Sequence, residues 1–305
     1  MNEQSAPSEL AGMSSPTWKQ TLWSAVQYAL PHHFISRVIF HLTRWRTPFT
    51  ASAIRWFVRR FDVDLSEAVA SDPAVYPTFN AFFTRALKAD VRPLAPDPAE
   101  WVSPCDGRIS QIGAIQSGNL LQAKGRDYSV IELLGGDAAL AREFEQGQFV
   151  TVYLSPRDYH RVHMPCAGRL RTMIHVPGRL FSVSPATVQQ VPRLFARNER
   201  LVCVFETDLG PMALVLVGAI NVAAIETVWA GLVTPPAGQQ VTRRDYGDDV
   251  GMVISLARGQ EMGRFNMGST VILLAPSDAR FSPDWQAGMP VRLGQGWLDA
   301  EGKSA

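Results

Sequence analysis

The chain of 305 residues is long enough for one large domain or two small ones with ample core. Apolar residues make up 46% and charged residues 19%, and 29 Lys and Arg nearly balance 28 Asp and Glu, which excludes a disordered chain and a nucleic-acid binder working through bulk charge. Three widely spaced cysteines, Cys105, Cys166 and Cys203, offer neither a zinc spacing nor a disulfide framework and fit a reducing compartment.

Residues 1–16 are polar, lack an apolar signal core and read as a flexible N-terminus. A helical region follows, over 17–92. From Leu10 to Phe61 there is no Asp or Glu, yet seven basic residues (Lys19, Arg37, Arg44, Arg46, Arg55, Arg59, Arg60) and four of the eight tryptophans fall there. The pattern predicts helices over Thr17–Leu30, Phe34–Arg46 and Ala51–Phe61, the first two closed by Pro31 and Pro48. In the second, Phe34, Ile35, Val38, Ile39 and Leu42 form one apolar stripe. Basic residues beside Trp and Phe suit an anionic membrane surface; a stripe packed on the core with solvated arginines is the alternative.

Leu65–Val69 and Thr78–Leu87 are short helix candidates, and the Pro-rich link Arg92–Pro98 marks a boundary. From residue 93 to 305 short strands alternate with Gly and Pro, among them Phe149–Leu154, Leu201–Glu206, Val250–Leu256 and Thr270–Leu274. Met212–Val233 is apolar enough to raise the question of a membrane span, but Asn221 and Glu226 interrupt it. Two buried strands, Ala213–Ile220 and Val222–Trp229, explain it better. The expected class is α+β: N-terminal amphipathic helices, then a mostly antiparallel β catalytic domain.

Three segments carry chemistry. Asp106 sits in Ser103-Pro104-Cys105-Asp106-Gly107-Arg108, by itself an ordinary turn. His160 and His163 fall in Tyr159-His160-Arg161-Val162-His163-Met164-Pro165; on a strand, residues three apart face opposite ways, so two separate jobs fit better than a shared metal. Gly268-Ser269-Thr270 opens an apolar strand. Gly268 leaves its carbonyl open to attack, and the Ser269 hydroxyl can attack it if a base takes the proton. A histidine oriented by an aspartate is the usual base, and Asp106, His163 and Ser269 are candidates in that order.

Together these segments resemble the phosphatidylserine decarboxylase family in its bacterial membrane-associated form. Tyr28-Ala29-Leu30-Pro31, Thr78–Arg85, Pro177–Val183, Ile225–Gly231 and Glu261–Thr270 extend the resemblance over nearly the whole chain. One departure is Asn266-Met267 ahead of Gly268, which affects loop packing and leaves the reacting groups in place. The resemblance implies self-cleavage between Gly268 and Ser269 into a large chain, 1–268, and a small chain, 269–305. Ser269 would become a covalent pyruvoyl group, with His163 as base and Asp106 as its orienting partner. The pyruvoyl would form a Schiff base with phosphatidylserine, lose CO2 and release phosphatidylethanolamine, in phospholipid biosynthesis. His160 would contact the carboxylate or return the proton, its charge switching near working pH. The resemblance also implies peripheral attachment to the cytoplasmic side of the cell membrane, and a homodimer.

Three rivals differ in what they require. A soluble pyruvoyl-dependent decarboxylase needs no basic, Trp-rich helices. A serine hydrolase keeps Ser269 in an intact chain, and a non-enzymatic membrane-docking protein leaves the His and Gly-Ser-Thr segments without a task.

Overall fold

A computed structural model describes residues 17–96, 101–123, 125–220, 224–235 and 238–297. Four helices come first: α1 (Trp18–Val26), α2 (His32–Arg44), α3 (Thr50–Phe61) and α4 (Phe79–Phe83). Thr17 caps α1 through a reciprocal pair with Gln20, and α3 ends on Asp62 in the left-handed conformation. The stretch Leu65–Val69 is no helix. The Asp64 carboxylate takes the Ser66 N–H, which turns the chain, and Ala68 bridges to Leu87.

The first two helices are packed inside out. Helix α1 buries Ser24 and exposes Trp18, Leu22 and Trp23; α2 buries His32 and Ser36 and exposes Phe34, Val38 and Leu42. Three members of the stripe therefore face outward, with Ile35 and Ile39 half-buried, against the alternative of a stripe packed on the core. The polar faces hold the loop Pro177–Val183. Gln27 Oε1 accepts from Ser182 N at 2.7 Å, His32 Nδ1 accepts from Leu180 N at 3.2 Å, and His33 Nε2 donates to the Gly178 carbonyl at 2.8 Å. Helix α3 faces the other way: Ile54 and Phe57 join Val63, Phe82 and Phe83 in a small core that also receives Met267.

The strands are β1 (Gly107–Ala114), β2 (Asn119–Ala123), β3 (Arg126–Ser129), β4 (Gln148–Leu154), β5 (Arg161–His163), β6 (Gly168–Val176), β7 (Arg200–Thr207) and β8 (Gly210–Val217). After them come β9 (Ile225–Thr227), β10 (Gly231–Thr234), β11 (Thr242–Asp245), β12 (Ser255–Leu256), β13 (Glu261–Phe265), β14 (Ser269–Ala275) and β15 (Pro290–Val291). The large sheet runs β11-β6-β7-β8-β14-β4-β1-β15, with β12 also on β6. A second sheet runs β10-β9-β13-β5, and β2 and β3 form a hairpin. All strand pairings between these elements are antiparallel, and the class is α+β.

The apolar run Met212–Val233 divides between the sheets, β8 in the large one and β9 in the small; residues 221–223 of the second expected strand lie outside the described residues. Of the expected strand Val250–Leu256 only Ser255–Leu256 forms. Gly251, at φ +67°, turns the chain before it, and Val250, Met252 and Val253 are exposed. No described helix is long and apolar enough to cross a membrane.

Strand β14 lies in the middle of the large sheet, bonded to β4 from Ser269↔Leu154 to Ala275↔Gln148 and to β8 from Thr270↔Val217 to Leu274↔Ala213. All seven of its residues are buried. Each buried Val, Ile or Leu side chain stabilises this placement by roughly 1.5–3 kcal/mol. That burial, with a ladder on both sides, would hold the strand in the sheet if the chain were cut ahead of it.

Candidate active site

The chain passes from the small sheet to the large one over two residues. Asn266 N–H still donates to the Ala224 carbonyl beside β9, at 2.9 Å, and Ser269 already pairs with Leu154 on β4. Only Met267 and Gly268 lie between. Met267 has φ +116°, outside the regions open to an ordinary L-residue, a cost of about 1–3 kcal/mol. Gly268 has open space where a Cβ would point.

Polar atoms here are left without partners. Ser269 Oγ, Thr270 Oγ1, Asn266 Oδ1 and His160 Nε2 are all buried and make no hydrogen bond among the described residues. An unsatisfied buried group costs about 1–3 kcal/mol, so such a concentration calls for a chemical reason. The loop after β4 brings His160 to this place: its carbonyl accepts from Phe265 N–H at 3.0 Å, at the end of β13. The His160 ring packs on Phe83 of α4, with ring centres 4.1 Å apart. Its Nδ1 lies 2.8 Å from the Asp158 carbonyl oxygen, which can only accept, so Nδ1 carries the proton and Nε2 is a bare acceptor. Burial pushes its pKa down to about 3, so His160 is neutral here and does not switch near working pH as expected.

His163 faces a different environment. Its Nδ1 donates to the Gly259 carbonyl at 2.8 Å, which leaves Nε2 to accept from the Tyr159 hydroxyl at 3.2 Å. Burial again lowers its pKa. Asp106, expected to orient His163, makes no hydrogen bond to it. Its carboxylate accepts from Arg92 Nε at 2.9 Å and Nη2 at 2.6 Å, and from Leu293 N–H at 2.9 Å. A charged guanidinium and a backbone amide fill its acceptor sites, and the Gly259 carbonyl orients the imidazole instead. The two segments are joined by a backbone hydrogen bond, from His163 N–H to the Pro104 carbonyl at 2.8 Å, and the Asp106 charge acts on His163 across space.

Sequence reasoning missed several groups. Arg92 also binds Glu67 at 2.7 Å, which ties the Pro-rich link to the Asp106 turn. Thr84 and Arg85 brace the His segment: the Thr84 carbonyl accepts from Arg161, and Arg85 Nη2 donates to the Arg157 carbonyl at 3.1 Å. Arg85, Arg92, Asp106, Tyr153 and Tyr159 line a cavity of about 580 Å³ beside Ser155, the residue after Leu154. The quoted motif Thr78–Arg85 was the signal for this brace, but not for its partners.

Comparison with known proteins accounts for these segments together. Residues 79–298 match the family described as phosphatidylserine decarboxylase, and residues 10–62 match a companion family described as PSD. The chain belongs to the phosphatidylserine decarboxylase family. It is 60% identical over 265 residues to the phosphatidylserine decarboxylase proenzyme of Alkalilimnicola ehrlichii, covering 87% of this chain and 91% of that protein. The proenzyme of Delftia acidovorans is 57% identical over 272 residues (88% and 94%), and that of Pseudomonas fluorescens 54% over 280 residues (91% and 97%). The family is one of decarboxylases, and the word proenzyme in these relatives' names denotes a precursor that is processed.

The buried histidines fix the direction of the pH response. His160 and His32 have folded pKa values of about 3 and about 4, and that of His163 is also lowered, against about 6.5 in an unfolded chain. Below pH 6.5 the unfolded chain therefore binds protons that the folded one refuses, and stability falls. In a Ser269→Ala protein the melting temperature should drop between pH 6.5 and 4.5, and His160→Gln should make that drop shallower. An identical slope in the two proteins would contradict the neutral, buried His160.

Proposed function

We propose that this chain is a phosphatidylserine decarboxylase that makes its own pyruvoyl group from Ser269. The observation that carries the proposal is the two-residue bridge Met267-Gly268 between the sheets, with strained backbone and a buried Ser269 hydroxyl that has no partner among the described residues. Attack of Ser269 Oγ on the Gly268 carbonyl carbon replaces the peptide bond with an ester, and the amino group of residue 269 is freed. Loss of the α-proton with departure of the Gly268 carboxylate leaves dehydroalanine, which takes up water and releases ammonia to give pyruvoyl. The products are chains 1–268 and 269–305, the second held by β14.

His163 is the proposed base for Ser269, and the Tyr159 hydroxyl must release its Nε2 for that task. Asp106 acts on His163 at one remove, by fixing the turn whose Pro104 carbonyl holds the His163 backbone. The residues fit a small carbonyl group at position 269: the side chain there has no partner to lose, and Gly268 presents no bulk. Once formed, the pyruvoyl carbonyl supplies an electron sink for loss of CO2 from the serine headgroup. His160 serves that step. A substrate carboxylate near its bare Nε2 would raise its pKa, letting it hold and return a proton. Phosphatidylethanolamine is the product.

The substrate is a two-chain lipid, and the outward Trp18, Phe34, Leu42 and Trp45, with Arg37 and Arg46, suit an anionic bilayer surface. We place the protein peripherally on the cytoplasmic side of the cell membrane, with a homodimer as the proposed assembly. Deleting residues 1–61 would not isolate docking, because Gln27 and His32 hold the loop 177–183.

Intact mass under denaturing conditions tests the self-made cofactor. Wild-type protein should give two chains meeting between Gly268 and Ser269, the smaller about 17 Da lighter than hydrolysis leaves it, and Ser269→Ala should stay whole. A well-folded wild-type protein in one uncut piece would remove the proposal and leave a hydrolase or a docking protein. Docking is tested by replacing Phe34, Leu42 and Trp45 together with Ser. Cleavage should persist, while turnover of phosphatidylserine in vesicles falls at least about ten-fold relative to turnover of a short-chain soluble analogue. Equal loss on both substrates would contradict a membrane role for this face.

A further inference from the structure

We infer that Glu226 is a positioning residue for the cleavage of Gly268–Ser269, acting through the side chain of Asn266; this rests on the self-cleavage proposed above. Glu226 lies on β9, in the motif Ile225–Gly231, and β13 separates it from the histidine segment on β5. Its carboxylate is half-buried and serves three groups. Oε2 accepts from Arg264 Nε at 2.7 Å, Oε1 accepts from Asn266 Nδ2 at 3.1 Å, and the Arg44 guanidinium from the last turn of α2 stands 3.7 Å away. The backbones are equally close: Arg264 pairs with Glu226 and Phe265 with Ile225, and a Cβ on Gly263 would lie 2.3 Å from the Glu226 carbonyl oxygen.

Asn266 is the last residue bonded to the small sheet. Its N–H reaches the Ala224 carbonyl, and its side-chain amide reaches both that carbonyl, at 3.3 Å, and Glu226. Beyond it only Met267 and Gly268 remain before Ser269 is locked into the large sheet. With the far end fixed by β14, the direction in which the Gly268 carbonyl faces the Ser269 hydroxyl depends on the near end. Glu226 fixes that end. Glu226 touches neither reacting atom, so its effect is confined to the geometry of the bond. A misplacement of about 1 Å can cost on the order of a hundred-fold in rate.

The test follows the conversion of freshly made full-length precursor into two chains over time. Glu226→Ala and Asn266→Ala should each slow it at least about ten-fold. Glu226→Gln, whose amide oxygen still accepts from Asn266, should cut faster than Glu226→Ala. Because the slow step lies before the ester, hydroxylamine, which severs an accumulated ester, should not speed either alanine variant. Asn266→Ala leaves the Glu226–Arg264 pair intact, so it keeps the test open if Glu226→Ala fails to fold. Within a Ser269→Ala background its melting temperature should stay within about 3 °C. Cutting of Asn266→Ala within about two-fold of wild type, or rapid cutting on adding hydroxylamine, would overturn the inference. A wild-type precursor that never cuts would instead remove the proposed function itself.

Discussion

The bridge between the two sheets constrains everything around it. Strand β13 belongs to the small sheet and β14 to the middle of the large one, and beyond Asn266, still bonded beside β9, the chain has two residues in which to change sheets. A longer loop would relax. Here Met267 is held at φ +116° because Asn266 and Ser269 are both already committed to hydrogen-bonded partners. Such strain persists only where the surroundings over-determine it. The small core of Ile54, Phe57, Phe82 and Phe83 closes over Met267, and Phe83 in turn seats His160. One aromatic cluster therefore supports both the bond proposed to break and the histidine proposed to act afterwards.

Helices α1 and α2 have two faces with separate duties. Their polar faces work inward, giving Gln27, His32 and His33 to the loop 178–182, while Ser36 donates to the Ile220 carbonyl. Their apolar faces are left outside. Exposed Trp18, Phe34, Trp45, Phe49 and Trp56 are far more apolar surface than scattered residues on a soluble protein present. Arg44 joins the two regions, since it ends α2 and stands against Glu226. The proposed lipid surface and the proposed cleavage loop are thus one hydrogen-bonded layer apart.

Much of this was legible in local sequence, because local sequence decides it. Thr17 caps α1 and Pro31 stands at the N-cap of α2 through local backbone chemistry, although α1 ends at Val26 and α2 at Arg44, ahead of the prolines expected to close them. The apolar run after Ser269 marks a buried strand. Periodicity located the stripe Phe34-Val38-Leu42 but not its outward direction, since the same spacing serves a core-facing or a lipid-facing helix. Asp106, His160, His163 and Ser269 were identifiable as chemistry-bearing residues. Their partners were not: Arg92 reaches Asp106 only because the Pro-rich link folds back, and Gly259 reaches His163 from almost a hundred residues away. The Glu226–Asn266 contact crosses forty positions, and the sequence marks Glu226 only as a charge in an apolar run and Asn266 only as a loop residue.

The central claim is that the folded chain cuts itself, and it is tested most directly by the kinetics of cutting in purified precursor. Protein held unfolded in denaturant and then diluted into refolding buffer should begin to cut only as structure returns. The process should be first-order, with the same rate constant when the protein is diluted about a hundred-fold, as an intramolecular reaction requires. Cutting that proceeds in denaturant, or that slows in proportion to dilution, would contradict a bond activated by the fold around it.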